Sequence, residues 1–186
     1  MKNGTVLKIS LSLALLLPIA GPKPAVGEVA EYAVKAAYLY NFTQFVQWPK
    51  SALSGDSLVI GIVGEDPFGD TLDSAVQGKS AAGHSLEVKR IGPFSASKAS
   101  SLSKCQVLFI SFSEKAHVKE ILAALKGAAV LTVSEIDQFP VKGGILQFDQ
   151  EGQKIILTLN PAAAKKAGLT ISSQLLQVAK LYQTEE

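Results

Sequence analysis

A single cysteine, Cys105, and a single arginine, Arg90, occur in the 186 residues, and the only two histidines, His84 and His117, stand far apart. One cysteine permits no internal disulfide. It opens the apolar run 105–110, so it reads first as a buried small hydrophobe, with intermolecular pairing or redox sensing as the alternatives. One arginine leaves the chain short of the bidentate forks with which proteins grip phosphate backbones, which argues against nucleic acid as a partner. Two histidines with no neighbouring cysteine and no His-Glu-x-x-His spacing make no zinc pattern. Neither a Gly-x-Gly-x-x-Gly run after a strand nor a Gly-x-Ser-x-Gly elbow is present, so the sequence offers no dinucleotide turn and no hydrolase nucleophile.

Long apolar runs are also missing. The segment 9–17 is too short for the roughly 20 residues that cross a bilayer as a stable anchor. It is flanked by Lys2 and Lys8 and followed by Pro18 and a small-residue stretch, the pattern of a secretory signal peptide. Residues 1–27 are therefore expected to be a signal peptide and short leader, cleaved after Ala20 or Gly27. Residues 28–186 are expected to form one periplasmic domain without a membrane span. Lys2, Lys8 and Lys23 all precede the first acidic residue, Glu28, so export leaves 15 of the 18 basic residues against 16 acidic ones. The net charge then falls from +2 to −1. The basic character belongs to the export segment and says nothing for nucleic-acid binding.

What is present is an alternation of strand and helix patterns. Residues 31–46 lack Gly and Pro and read as a helix with a wide apolar surface, stopped at Trp48-Pro49. The continuous apolar run 58–64 reads as a central parallel strand. Asp66 is expected to cap a helix starting at Pro67 and ending before Gly78, with Asp70 beside Asp66 on its first turn. Residues 85–91 alternate as a strand with one wet face, 106–110 form a buried strand, 114–126 a helix, and 128–133 another buried strand. Two runs, 145–148 and 154–159, are joined by Asp149-Gln150-Glu151-Gly152 as a hairpin. Asn160 and Pro161 start a short helix that Gly168 stops. Ser172 caps a last helix, stapled by Ile171 and Leu176, whose apolar stripe runs through Leu175, Leu176, Val178, Ala179 and Tyr182. Replacing Leu176 with Ala is expected to cost about 2 to 4 kcal/mol. The fold class is α/β: a single domain with a mostly parallel sheet flanked by helices, a late antiparallel hairpin and a C-terminal helix.

The acidic cluster Glu65, Asp66, Asp70 and Asp73 suits a helix start better than a metal or a general acid. No catalytic, cofactor-binding or metal-ligating constellation stands out, and the chain reads as a non-enzyme. The aromatics between Tyr32 and Trp48 exceed what one small helix needs in a core, which suggests a patch for a partner.

Six blocks in order carry a resemblance: 35–49 (KAAYLYNFTQFVQWP), 60–68 (IGIVGEDPF), 105–110 (CQVLFI), 130–134 (VLTVS), 143–145 (GGI), and Leu159-Asn160 with Ala163 and 168–176 (GLTISSQLL). Together they resemble the YfiR family of exported regulatory proteins. That resemblance implies a periplasmic α/β domain, often dimeric, that represses an inner-membrane diguanylate cyclase by binding its periplasmic sensor region. Cyclic-di-GMP and biofilm formation are then under its control, with no cofactor involved. A possible homodimer follows from the same resemblance. The family commonly pairs a cysteine at the position of Cys105 with one in the preceding central strand, where this chain has Ile60-Gly61-Ile62; a second disulfide of some members, near Gly143-Gly144, also has no residues to form it. The partner-binding candidates are Tyr38, Phe42, Phe45, Ile145 and Ile171, some of which are expected at the surface. The alternative function is a periplasmic small-molecule receptor without a cyclase partner, whose mark would be a concave apolar pocket.

Overall fold

A computed structural model describes residues 26–152 and 154–183. The apolar export segment lies outside the described residues. Helix α1 (Val26–Phe45) gives way directly to the two-residue strand β1 (Val46–Gln47), so the helix stops slightly before the Trp48-Pro49 break. Then follow β2 (Ser57–Val63), α2 (Asp70–Val76), β3 (Ser80–Ala81), β4 (His84–Gly92), α3 (Ala99–Leu102), β5 (Val107–Ile110), α4 (Val118–Ala124) and β6 (Leu131–Ser134). The chain closes with β7 (Leu146–Glu151), β8 (Lys154–Leu159), α5 (Pro161–Lys166), β9 (Thr170–Ile171), α6 (Ser173–Val178) and β10 (Lys180–Leu181).

Eight strands form one sheet in the order β10-β8-β7-β6-β5-β2-β4-β3, and β1 pairs with β9 outside it. Five neighbours, β4, β2, β5, β6 and β7, are parallel, while β8 runs antiparallel to β7 and β3 antiparallel to β4. This is the mixed, mostly parallel α/β sheet expected from the strand spacing, with the hairpin where the sequence placed it. Alternate residues of each strand supply opposite faces, as the two-residue period requires. Leu58, Ile60 and Ile62 of β2 join Val107 and Phe109 of β5 in a core shared with Leu39 and Phe42 of α1. Leu108 and Ile110 face the other way, onto Leu102, Val118 and Ile121. Each such side chain, fully buried, stabilises the fold by about 1.5 to 3 kcal/mol relative to exposure.

Four local expectations change. The hairpin register runs out to Glu151 paired with Lys154, so 149–151 belong to the strand rather than to the turn, and Gly152 has φ +62°. The helix after β2 begins at Asp70 rather than Pro67, because Asp66 Oδ1 accepts from Phe68 N at 2.8 Å and closes a turn of its own. The expected helix 114–126 is a 3-10 segment, 112–117, followed by α4. Helix α6 is capped by Ser172 as expected, but it stops at Val178. Ala179 is extended, β10 pairs in parallel with β8, and Tyr182 N donates to Leu159 O at 2.7 Å. The apolar stripe is therefore broken: Leu175 is the buried member, Leu176 is half-buried, and Val178 points outward. The truncation cost foreseen at Leu176 belongs at Leu175.

Candidate functional site

The chain leaves β2 on one side to reach β4 and returns on the other to reach β5. Open α/β sheets take ligands at such a reversal, at the carboxyl ends of the strands. Here that crevice is filled. Gly64, at φ +95°, lies so close to the 112–117 turn that a Cβ would come within 2.5 Å of Ser113 Oγ. Ser113 Oγ accepts from Glu65 N, and the buried Glu114 accepts from Phe94 N at 3.1 Å and meets His117 Nδ1 at 2.9 Å. The lone arginine closes the adjoining corner. Arg90 Nε donates to Asp66 at 2.7 Å, its Nη atoms donate to both oxygens of Asp73, and Nη2 also donates to Gly69 O. Hydrogen bonding to Arg90 holds the Asp73 carboxyl below its usual range. Asp66 is thus paired with Asp73 through Arg90, and Asp70 stays exposed at the helix start.

Further along the same edge a cavity of about 400 Å³ is lined by Glu31, Lys35, Phe112, Glu135, Phe148 and Asp149 among others. Lys35 is 4% exposed, and its Nζ lies 2.5 Å from both Glu31 and Glu135. Tyr32 donates to Glu135 at 3.0 Å, and Lys35 Nζ sits 4.6 Å from the Tyr32 ring centre. These groups satisfy one another across about a hundred residues of sequence, so they act as a clamp between α1 and the end of β6. Among the described residues, no group of three His, Cys, Asp or Glu side chains could hold a metal ion.

The five sequence-derived contact candidates divide. Phe42 stacks on Phe148 at 6.0 Å and is buried, and Ile145 is buried at the start of β7, so both are packing residues in this structure. Tyr38 is half-buried against Phe42 and Phe148. Phe45 and Ile171, also half-buried, meet at the β1–β9 junction, where Ser172 N donates to Phe45 O. The most exposed large hydrophobics are Val178 at 69%, Val141 at 60%, Phe112 at 53% and Leu181 at 49%, of which the sequence had named Val178 alone, on the apolar stripe of the last helix. Val178 and Leu181 belong to the lateral edge made by α6 and β10, whose strand has β8 as its one sheet neighbour among the described residues. Only the long-range pairing of β10 distinguishes them from a helix stripe, and periodicity carries no signal for that.

Cys105 lies under the sheet, 1% exposed, and burial pushes its thiol up to about 11. A Cβ on Gly61 would come 2.5 Å from its sulfur. The place in β2 that the Cys105 sulfur packs against is therefore occupied by a residue with no side chain to link.

At the amino ends of the strands, a groove of about 800 Å³ is bounded by the last turns of α4, the starts of β6 and β7, α5 and Tyr182. Leu122, Val130, Val141 and Ile145 are its apolar lining, and Lys119, Lys126, Lys142 and Lys166 line it with no carboxylate among the described residues.

No curated protein matches this chain. Among solved structures, a conserved domain protein from Vibrio cholerae O1 biovar eltor is similar with a TM-score of 0.50 and 16% identity. That likeness covers 67% of this chain and 54% of the other, so this chain matches about half of that protein's length and shares its fold. The model of the YfiR/HmsC-like family matches residues 32–180, which takes in every strand of the main sheet up to Lys180. On that match, the chain belongs to the YfiR/HmsC-like family.

Proposed function

We propose that this protein is a periplasmic regulatory binding protein that represses an inner-membrane diguanylate cyclase through the cyclase's periplasmic sensor region. The observation that carries this reading is the α6–β10 edge, where Val178 and Leu181 are exposed at a strand with one sheet neighbour among the described residues. Exposed aliphatics provide interface anchors, and an open strand edge accepts an extended segment by backbone pairing. Half-buried Tyr38, Phe45 and Ile171 extend the candidate surface toward α1. Family membership supports a regulatory binding role, and the six-block resemblance supplies the partner class. The polar groups of the carboxyl edge are engaged with each other, which supports binding as the use of the surface.

Deleting the gene is expected to raise cyclic-di-GMP, and deleting the partner cyclase as well is expected to abolish that rise. An unchanged level after the first deletion contradicts the proposal. A second reading, a periplasmic small-molecule receptor without a cyclase partner, is favoured by the lysine-lined apolar groove at the amino edge.

A further inference from the structure

We propose that the amino-edge groove binds a free monocarboxylate with an aliphatic body. This deepens the receptor reading and is independent of the cyclase. The groove's volume, about 800 Å³, falls within the range that accommodates small ligands. Its polar floor atoms are already engaged: Asn160 Nδ2 donates to Pro140 O, Asn160 Oδ1 accepts from Ala163 N, and Thr132 Oγ1 accepts from Ile145 N. A ligand therefore meets an apolar floor, and a polar body such as a sugar would gain few hydrogen bonds there. The rim has the opposite character. Of its four lysines, Lys142 Nζ donates to the Asp137 carbonyl, while the ammonium groups of Lys119, Lys126 and Lys166 make no hydrogen bond or ion pair among the described residues. Among the described residues no Asp or Glu lines the groove, and an anionic ligand complements the rim. An anionic head at the rim and an apolar body on the floor satisfy both. Val141 is 60% exposed and Leu122 half-buried, so these two, rather than the buried Val130 and Ile145, present apolar surface to a ligand, and a groove bounded by α4 and α5 suits a single molecule better than a flat bilayer.

Decanoate below its micelle concentration is the probe, with decyltrimethylammonium as the cationic control, titrated into the purified chain by calorimetry. Decanoate is expected to bind at one site per chain and the cationic analogue at least tenfold more weakly. The double substitution Lys126→Glu and Lys166→Glu is expected to weaken decanoate at least tenfold without moving the melting temperature. Ala162→Trp, at an exposed position lining the groove, is expected to block it sterically and gives an independent check on the location. The proposal is overturned if decanoate fails to bind, if both analogues bind equally, if both folded variants bind like the parent, or if binding is seen only to phosphatidylglycerol vesicles. Loss of cyclase repression with decanoate binding intact would remove the first function and leave this one standing.

Discussion

The two ends of the parallel strands differ in how their charges are used. At the carboxyl edge, Lys35 is held by Glu31 and Glu135, Arg90 by Asp66 and Asp73, and His117 lies on Glu114. At the amino edge, the ammonium groups of three of four lysines around an apolar groove have no partner among the described residues. The fold rule points to the carboxyl edge as the ligand side. In this chain that edge has become a clamp, and the opposite edge keeps unused charge and a recess. A rule about where sheets bind ligands holds only where the polar groups at that place are not already committed to one another.

The largest expected difference between the edges is in stability. Removing Lys35 leaves two carboxylates near the protein interior without their ammonium partner, so Lys35→Ala is expected to cost about 3 to 5 kcal/mol. Lys166→Ala, at the other edge, should stay within about 0.5 kcal/mol. Urea unfolding of both variants measures the contrast, and equal costs would break it.

Acid should act on the carboxyl edge next. Asp73 has a folded pKa depressed by Arg90, so its contribution is present above the unfolded carboxylate value of about 3.9 and is lost as pH falls through the lower folded value. Its side chain is 48% exposed, so the contribution is expected to be under about 1 kcal/mol and to shrink with salt. Melting curves from pH 5 to pH 2 should therefore fall less steeply for Arg90→Gln than for the parent. Parallel acid limbs would show that the pair contributes nothing.

The smallest effect is expected at Cys105. A thiol that is buried, raised to about 11 and packed against Gly61 has no internal partner, so melts with and without dithiothreitol should coincide. A drop on reduction together with loss of a covalent dimer would show that the cysteine reaches a second subunit.

Much of the fold was legible because it rests on local chemistry. The runs at 58–64 and 106–110 are apolar on both faces, as strands covered by helices must be, and Asn160, Pro161 and Ser172 act at the helix starts where capping places them. The clamp was not legible, because Lys35 and Glu135 are 100 residues apart and nothing in either neighbourhood marks the other. The end of α6 was missed for the same reason: β10 exists only because β8 is beside it. The aromatic surplus near α1 was visible, but Phe42 is absorbed by Phe148, and no period of 3.6 reveals a ring supplied from β7. Which aliphatics face outward could be read only after the sheet had been assembled.

The proposed restraint of a cyclase depends on the α6–β10 edge holding the cyclase's periplasmic region. It is tested most directly by titrating the purified chain into that isolated periplasmic region, beside a Leu181→Asp variant with unchanged circular dichroism and melting temperature. Saturable binding by the parent and at least a tenfold loss in the variant are expected. No binding by the parent, or equal affinity for both chains, would contradict it.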